Sequence, residues 1–203
     1  LNTIQAIKIA FSDRSYTLLF FGFFVCGFHV QFIQTHLPAY ITDEGLAPII
    51  GAWSLALIGL FNIGGSFFSG WSGQIYSKPK LLAAIYASRA AVIALFIFTP
   101  LSGTSVLVFS AAMGILWLST VPLTTGLIAQ TQGLKFLSTL AGLVFFSHQV
   151  GGFLGAWLGG RLYDLTGNYE AMWIAAILFG LAATIIHLPI KEQPGKLAQA
   201  EAN

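Results

Sequence analysis

The sequence predicts an all-α membrane protein with six transmembrane helices. Charged residues make up only 8% of the 203 residues, hydrophobic residues make up 56%, and long stretches contain no Asp, Glu, Lys or Arg. These stretches lie between Arg14 and Asp43, between Glu44 and Lys78, between Arg89 and Lys135, and between Lys135 and Arg161. Each is longer than the roughly 20 apolar residues that cross a hydrocarbon core of about 30 Å. The apolar runs are continuous rather than alternating, which favours helices over a membrane β-barrel.

The six predicted helices cover residues 16 to 38, 47 to 73, 81 to 100, 104 to 128, 136 to 161 and 170 to 189. The first two lie on either side of the acidic pair Asp43 and Glu44. A Pro/Gly/Ser break at residues 100 to 103 separates the third helix from the fourth, and Lys135 separates the fourth from the fifth. The fifth ends at Arg161, and the sixth ends where the polar tail begins. All connections are therefore short.

Three regions follow from this pattern. Residues 1 to 14 are predicted to be a cytoplasmic helix along the membrane surface or a linker, since Ile4, Ile7 and Phe11 share one helical face. Residues 15 to 190 form the transmembrane domain, and residues 191 to 203 form a cytoplasmic, disordered tail. Seven cations fall on the side of the membrane that carries both termini, namely Lys8, Arg14, Lys78, Lys80, Lys135, Lys191 and Lys196. This excess predicts that both termini are cytoplasmic.

The six helices are predicted to form two inverted repeats of three helices. At an offset of 87 residues, Gly64 and Gly65 align with Gly151 and Gly152, and Asn62 aligns with Gln149. Inverted repeats of this kind are typical of secondary transporters. The glycines predicted to let helix backbones approach closely are Gly64, Gly65, Gly151, Gly155 and Gly159.

Arg89 is the cation predicted to lie deepest in the bilayer, about 13 Å along its helix from Lys80. A guanidinium at that depth costs on the order of 3 kcal/mol and needs a partner. Arg89 either binds a substrate carboxylate or pairs with backbone carbonyls of a neighbouring helix. All seven acidic residues fall in loops or at helix ends, so no carboxylate within the membrane is available as a proton relay.

Other polar residues are candidates for substrate binding or coupling. His29 and Gln34 lie in the outer half of the first helix, and His29 either accepts a proton or is a hydrogen-bonded packing residue. Trp117 and Thr120 lie on one face of the fourth helix. Either this face contacts a small solute, or the Thr120 hydroxyl bonds to the backbone of its own helix. The second and fifth helices carry Asn62, His148 and Gln149 at predicted similar depth, and we expect at least one of them to line the translocation path.

Several segments together resemble the C-terminal six-helix half of a major facilitator superfamily transporter, nearest to the bacterial monocarboxylate-porter-like branch. They are FGFFVCGFHVQFIQTHLPAY (21 to 40), GLFNIGGSFFSGW (59 to 71), MGILWLSTVPLT (113 to 124) and FFSHQVGGFLGAWLGGRLYDLTGNY (145 to 169). The resemblance implies secondary active transport of a small solute, such as an organic anion, by alternating access as a symporter or antiporter. It also implies an N-terminal six-helix half in the same full-length protein and a place in the bacterial inner membrane. No enzyme activity, catalytic residue, cofactor, metal or nucleic-acid partner is expected.

The chain departs from the family pattern at two places. Gly73 and Gln74 replace the acid and the arginine of the cytoplasmic motif Gly-x-Leu-x-Asp-Arg-x-Gly-Arg. Eukaryotic monocarboxylate porters carry an Asp-x-x-x-Arg pair where this chain has Asn62 and Ser66. If a carboxylate is bound, Arg89 is the arginine that remains to bind it.

Two other functions compete with transport. The first is a six-helix scaffold with a dry apolar interior. The second is an intramembrane serine protease, because Gly70 to Gly73 reads Gly-x-Ser-Gly. Ser72, however, lies at a predicted helix end only six residues from Lys78, which is unsuited to that chemistry.

Overall fold

The computed structural model describes residues 1–202 and contains nine helices within that range. They are α1 (Thr3–Phe11), α2 (Arg14–Asp43), α3 (Pro48–Ile75), α4 (Lys78–Phe98), α5 (Gly103–Leu116), α6 (Thr120–Gln132), α7 (Leu137–Thr166), α8 (Glu170–His187) and α9 (Lys196–Ala202). Six spans are long and apolar enough to cross a membrane, and α5 and α6 together form the fourth. The predicted all-α membrane protein with six membrane helices is therefore confirmed.

Local sequence explains where the spans begin and end. Asp13 caps α2 by accepting a hydrogen bond from the Ser15 N–H at 2.9 Å. Pro48 and Pro79 lie in the first turns of α3 and α4, where the missing N–H costs no helical bond. Gly167 ends α7 with φ of 73°, in the left-handed region that glycine enters without strain.

The packing of the spans has the symmetry expected of two three-helix repeats. α2 packs most extensively on α7, α5 with α6 packs on α3, and α4 packs on α8. Exchanging α2, α3 and α4 with α5–α6, α7 and α8 leaves this set of pairs unchanged. The first helix of each repeat thus packs on the second helix of the other.

Glycines allow the closest approaches in both of these pairs. A Cβ on Gly27 of α2 would overlap the His148 carbonyl of α7, and a Cβ on Gly151 would overlap the Phe24 carbonyl. These approaches are reciprocal, so each helix places a glycine against the backbone of the other. Gly155 and Gly159 continue the same stripe of α7 along α2.

The pair of α3 and α5 repeats this arrangement. A Cβ on Gly65 would overlap the Ile115 carbonyl, and a Cβ on Gly114 would lie 2.8 Å from the Ile58 carbonyl. Gly64 differs, because it is exposed and nothing lies within 4 Å of a Cβ built on it. Gly65 rather than Gly64 is therefore the counterpart of Gly151, one residue away from the alignment at an offset of 87.

The fourth span is broken where the sequence predicts one continuous helix over residues 104 to 128. α5 ends at Leu116 and α6 begins at Thr120. Pro122 contributes to the break because it has no N–H to donate to the Leu118 carbonyl, which bonds to the Val121 N–H at 3.0 Å instead. The break leaves backbone groups of residues 116 to 119 in need of other partners.

Both described ends of the chain lie on one end of the bundle, which we call the terminal face. α9 packs on α1 and α6, and Leu197 is fully buried although the sequence predicts a disordered tail. The polar, Pro-containing composition of the tail does not reveal the surface that covers this one leucine. Glu192 binds Lys78 at the start of α4, through the backbone N–H at 2.9 Å and the ammonium at 3.6 Å. This is the one ion pair found among the side chains of residues 1–200.

Candidate functional site: the broken fourth span

Side chains from α3 and α4 bond to the backbone groups that the break leaves free. Asn62 Oδ1 accepts the Leu118 N–H at 3.0 Å, and Ser69 donates to the Ser119 carbonyl. Arg89 donates through Nε and Nη2 to the Leu116 carbonyl, at 3.2 and 2.7 Å, and through Nη2 to the Trp117 carbonyl. Two predicted site residues, Asn62 and Arg89, thus hold the broken helix in place.

Arg89 is the one fully buried cation in the described part of the chain. It lies over the ring of Tyr86, with 5.4 Å between its Cζ and the ring centroid, and its partners are carbonyl dipoles rather than a carboxylate. Its Nη1 has no hydrogen-bond partner. The carbonyl partners correspond to the structural role predicted for Arg89, whereas the free Nη1 leaves room for the substrate-binding role.

Three predicted site residues near the break lie at one depth, together with Cys26. From the terminal face, Arg89 is the twelfth residue of α4, His148 is the twelfth of α7 and Cys26 is the thirteenth of α2. Thr120 is the thirteenth from the end of α6. At 1.5 Å per residue, all four lie about 18 Å from that face, near the middle of a bilayer.

Cys26 connects Thr120 and His148. Its Sγ lies 3.2 Å from Thr120 Oγ1, and the half-buried imidazole of His148 lies beside it. The same imidazole packs on Phe23, with 5.1 Å between the ring centroids. His148 therefore extends from the surface of α7 to the buried groups around the break.

Gln149 and Gln34 are both exposed and do not join this cluster. Gln149 Oε1 accepts a hydrogen bond from His148 Nδ1 at 3.2 Å. Gln149 also lines a shallow groove between α2 and α7, together with Gln31 and Trp157. Gln34 lies further along α2.

The other predicted residues have partners inside the bundle. His29 is fully buried, and its Nε2 donates to the Ala176 carbonyl of α8 at 2.7 Å. This bond corresponds to the packing alternative for His29. The Trp117 side chain is 7% exposed and belongs to the apolar core, so its backbone rather than its ring meets Arg89.

The serine-protease alternative has no support in the geometry of Ser72. Its hydroxyl is buried and donates to the Ser69 carbonyl of its own helix at 3.0 Å. No group of three or more His, Cys, Asp or Glu residues that could hold a metal ion occurs among the residues described.

Cys26, Ser69 and Tyr86 belong to this site but were not predicted from the sequence as site residues. A spacing signal exists for Tyr86, which precedes Arg89 by three residues and so shares its helical face. No comparable signal marks Cys26 or Ser69, because their partners lie on a helix that is distant in sequence.

Comparisons with known proteins agree with this architecture. The family model of the Major Facilitator Superfamily matches residues 1–156. YcxA of Bacillus subtilis (strain 168), an uncharacterised MFS-type transporter, is 27% identical over 187 residues, which cover 89% of this chain and 45% of YcxA. Monocarboxylate transporter 13 of Rattus norvegicus is 32% identical over 167 residues, which cover 80% of this chain and 38% of that protein. Monocarboxylate transporter 11 of Mus musculus is 24% identical over 187 residues, or 88% and 42% of the two chains.

This chain spans less than half the length of the curated relatives it matches. A six-helix bundle of two three-helix units is half of a twelve-helix transporter, in agreement with that coverage. The family match extends over most of the described spans, from α1 into α7. The chain therefore belongs to the Major Facilitator Superfamily.

Proposed function

We propose that this chain forms the C-terminal half of a secondary active transporter that moves a small organic anion, such as a monocarboxylate, by alternating access. Its partner is an N-terminal six-helix half of the same full-length protein. The transporter lies in a bacterial cell membrane with both ends of this chain in the cytoplasm. The relatives named as monocarboxylate transporters support this substrate class.

The observation that carries the proposal is the break in the fourth span, held by Arg89 at mid-depth. Transporters of several folds bind solutes where a membrane helix is interrupted, because the interruption offers polar groups inside the bilayer. Here the interruption brings a guanidinium to the same depth as His148 and Thr120. Among the described residues, the charge of Arg89 faces carbonyl dipoles and the ring of Tyr86 but no carboxylate, so an anion is the solute that this site stabilises best.

Alternating access gives a physical role to the glycine contacts. Reciprocal glycines let α2 slide on α7, and α5 slide on α3, without side chains that interlock. The scaffold alternative offers no reason for a buried guanidinium or a broken helix, both of which cost free energy in a dry apolar interior.

Uptake by the full-length transporter in proteoliposomes tests the proposal. We expect saturable uptake of radiolabelled lactate that acetate inhibits and that lactamide, its neutral analogue, does not. Arg89→Gln should abolish uptake per folded molecule, and Arg89→Lys should retain a weaker uptake because a point charge replaces a planar donor. Lys80→Gln, which removes an exposed cation of the same helix, is the matched control and should transport normally.

Two results would contradict the proposed substrate and the proposed role of Arg89. One is uptake of lactamide as efficient as that of lactate. The other is wild-type uptake by Arg89→Gln, which would leave the guanidinium with a structural role only. A total lack of transport with any small solute would favour the scaffold.

A further inference from the structure

We infer that the groove between α2 and α7 is a subsite for the solute and that it favours a hydroxylated monocarboxylate with an aromatic ring, such as phenyllactate. This inference rests on the proposed function and specifies its solute. The groove has a volume of about 520 Å³ and is lined by Gln31, Gln149, Gly152, Phe153, Ala156 and Trp157. Small-molecule sites commonly offer about 300 to 1,000 Å³.

The first support is that the groove is open although it lies within the membrane. From the terminal face, Gln149 is the thirteenth residue of α7 and Trp157 is the twenty-first, so at 1.5 Å per residue the groove runs from about 18 to about 30 Å. An amide that faced lipid at that depth would lack partners at a high cost. The exposed side of α8 is instead apolar, with Leu178, Leu181 and Ile185 between 48 and 68% exposed. The side of α8 therefore faces lipid, and the groove faces a wet cavity.

The second support is a pair of amides with complementary free groups. Gln149 Oε1 accepts a hydrogen bond from His148 Nδ1 at 3.2 Å, which leaves Nε2 to donate. Gln31 Nε2 donates to Thr35 Oγ1 at 3.2 Å, which leaves Oε1 to accept. Gln31 lies within about one turn of Gln149, because a Cβ on Gly152 would be 3.4 Å from the Gln31 Cβ. A hydroxyl both donates and accepts, so it is the group that these two amides bind together.

The third support is an aromatic wall next to the amides. Phe153 follows Gln149 by four residues and Trp157 follows by four more, so all three share one face of α7. The two rings are stacked, with 6.3 Å between centroids and 5° between planes, and they are 65 and 53% exposed. An aromatic group of a solute packs favourably on such rings. No charged side chain lines the groove, so it recognises the uncharged part of the solute, which is its hydroxyl and its ring.

Three substitutions test the amides and the wall separately. Gln149→Leu removes the donor, Gln31→Leu removes the acceptor, and Trp157→Leu removes most of the aromatic wall. The matched controls are on α3, where Gln74 is an exposed glutamine and Trp53 is a tryptophan that is 60% exposed, both outside the groove. Gln74→Leu and Trp53→Leu should leave every affinity unchanged.

The measurement is equilibrium binding to the purified full-length transporter, with radiolabelled phenyllactate displaced by unlabelled compounds. Lactate lacks the ring, phenylpropionate lacks the hydroxyl, and phenyllactamide lacks the charge. Wild type should bind phenyllactate roughly 10-fold or more tightly than lactate, and roughly 5-fold or more tightly than phenylpropionate. Gln31→Leu and Gln149→Leu should each remove the preference for the hydroxyl, and Trp157→Leu should remove the preference for the ring. Melting temperatures of the unliganded proteins show whether each variant is folded.

The outcomes separate this inference from the proposed function. Equal affinity of wild type for phenyllactate, lactate and phenylpropionate, with lactate uptake intact, would overturn the subsite and leave monocarboxylate transport standing. Unchanged selectivity in all three variants, with lower melting temperatures, would also overturn it, because the groove would then be a contact with the other half. Phenyllactamide bound as tightly as phenyllactate, with the same dependence on Gln149 and Trp157, would support the subsite and contradict a monocarboxylate as the solute. Lack of binding and uptake of every monocarboxylate by wild type would overturn both.

Discussion

The adjacent glycines of α3 give a direct test of how the two repeats pack. Gly64 and Gly65 are both predicted from the sequence to allow close packing, but the structure separates them. A Cβ at position 65 would overlap the Ile115 carbonyl, whereas a Cβ at position 64 would meet nothing within 4 Å. The substitutions Gly64→Ala and Gly65→Ala therefore add the same methyl group to neighbouring residues of one helix with opposite expected effects.

The magnitudes follow from two effects. Replacing glycine by alanine inside a helix stabilises it by about 0.5 to 1 kcal/mol, and this gain applies at both positions. Overpacking costs about 1 to 3 kcal/mol, and position 65 lies at the upper end because a backbone carbonyl cannot rotate away as a side chain can. Gly65→Ala should therefore destabilise the protein by about 2 kcal/mol. Gly64→Ala should stabilise it slightly.

Thermal unfolding in detergent with a thiol-reactive coumarin maleimide measures the difference. Cys26 is the one cysteine of the chain and is 0% exposed, so it reacts only when the bundle opens. At about 2 to 4 °C per kcal/mol for a domain of this size, Gly65→Ala should lower Tm by roughly 4 to 8 °C. Gly64→Ala should leave Tm unchanged or raise it by up to about 4 °C. Equal Tm values for the two variants would refute the packing of α3 on α5.

Three further predictions concern other parts of the molecule. Arg89→Gln should lower Tm by several degrees in the same assay, because two carbonyls of the break lose a donor at about 1 to 3 kcal/mol each, and an unchanged Tm would contradict this role. Glu192→Gln should cost no more than about 1 kcal/mol of stability, since its ion pair with Lys78 is partly exposed. High salt screens this pair, so the Tm difference between wild type and the variant should shrink in high salt, and a difference that stays the same would contradict an electrostatic cause. Because Cys26 is buried, a thiol reagent applied to whole cells reports on an introduced cysteine. A cysteine at Lys135 should react only after the cells are permeabilised, and one at Asp43 should react from outside, whereas the reverse pattern would invert the proposed orientation.

The sequence was sufficient to predict the membrane spans but not the break in the fourth one. Charge gaps mark the spans because an unpaired charge is costly in hydrocarbon, a rule that needs no knowledge of tertiary contacts. The break over residues 117 to 119 lies in an apolar stretch, and Pro122 indicates only that one backbone bond is missing. Where the helix stops depends on Asn62, Ser69 and Arg89, which belong to other helices.

The glycine contacts, too, could be predicted only in part from the sequence. Helical spacing predicts that Gly151, Gly155 and Gly159 share a face, and the structure places that face on α2. Spacing does not show which of two adjacent glycines faces the partner, since neighbouring residues differ by about 100° around the helix axis. The rotation of α3 about its axis is fixed by α5 and puts Gly65 against it, with Gly64 on the exposed side.

The candidate site is better identified by unsatisfied hydrogen-bonding capacity than by residue type. Asn62, Arg89 and His29 all qualify as binding residues by type, yet each bonds to the backbone of another helix. Asn62 and Arg89 bond to groups that the break leaves free, and His29 bonds to the Ala176 carbonyl of α8. In hydrocarbon such groups are costly, so a helix broken at mid-depth must recruit polar side chains before any of them can serve a solute. What remains is the small set of buried donors without partners, among them Arg89 Nη1 and the hydroxyl of Tyr86.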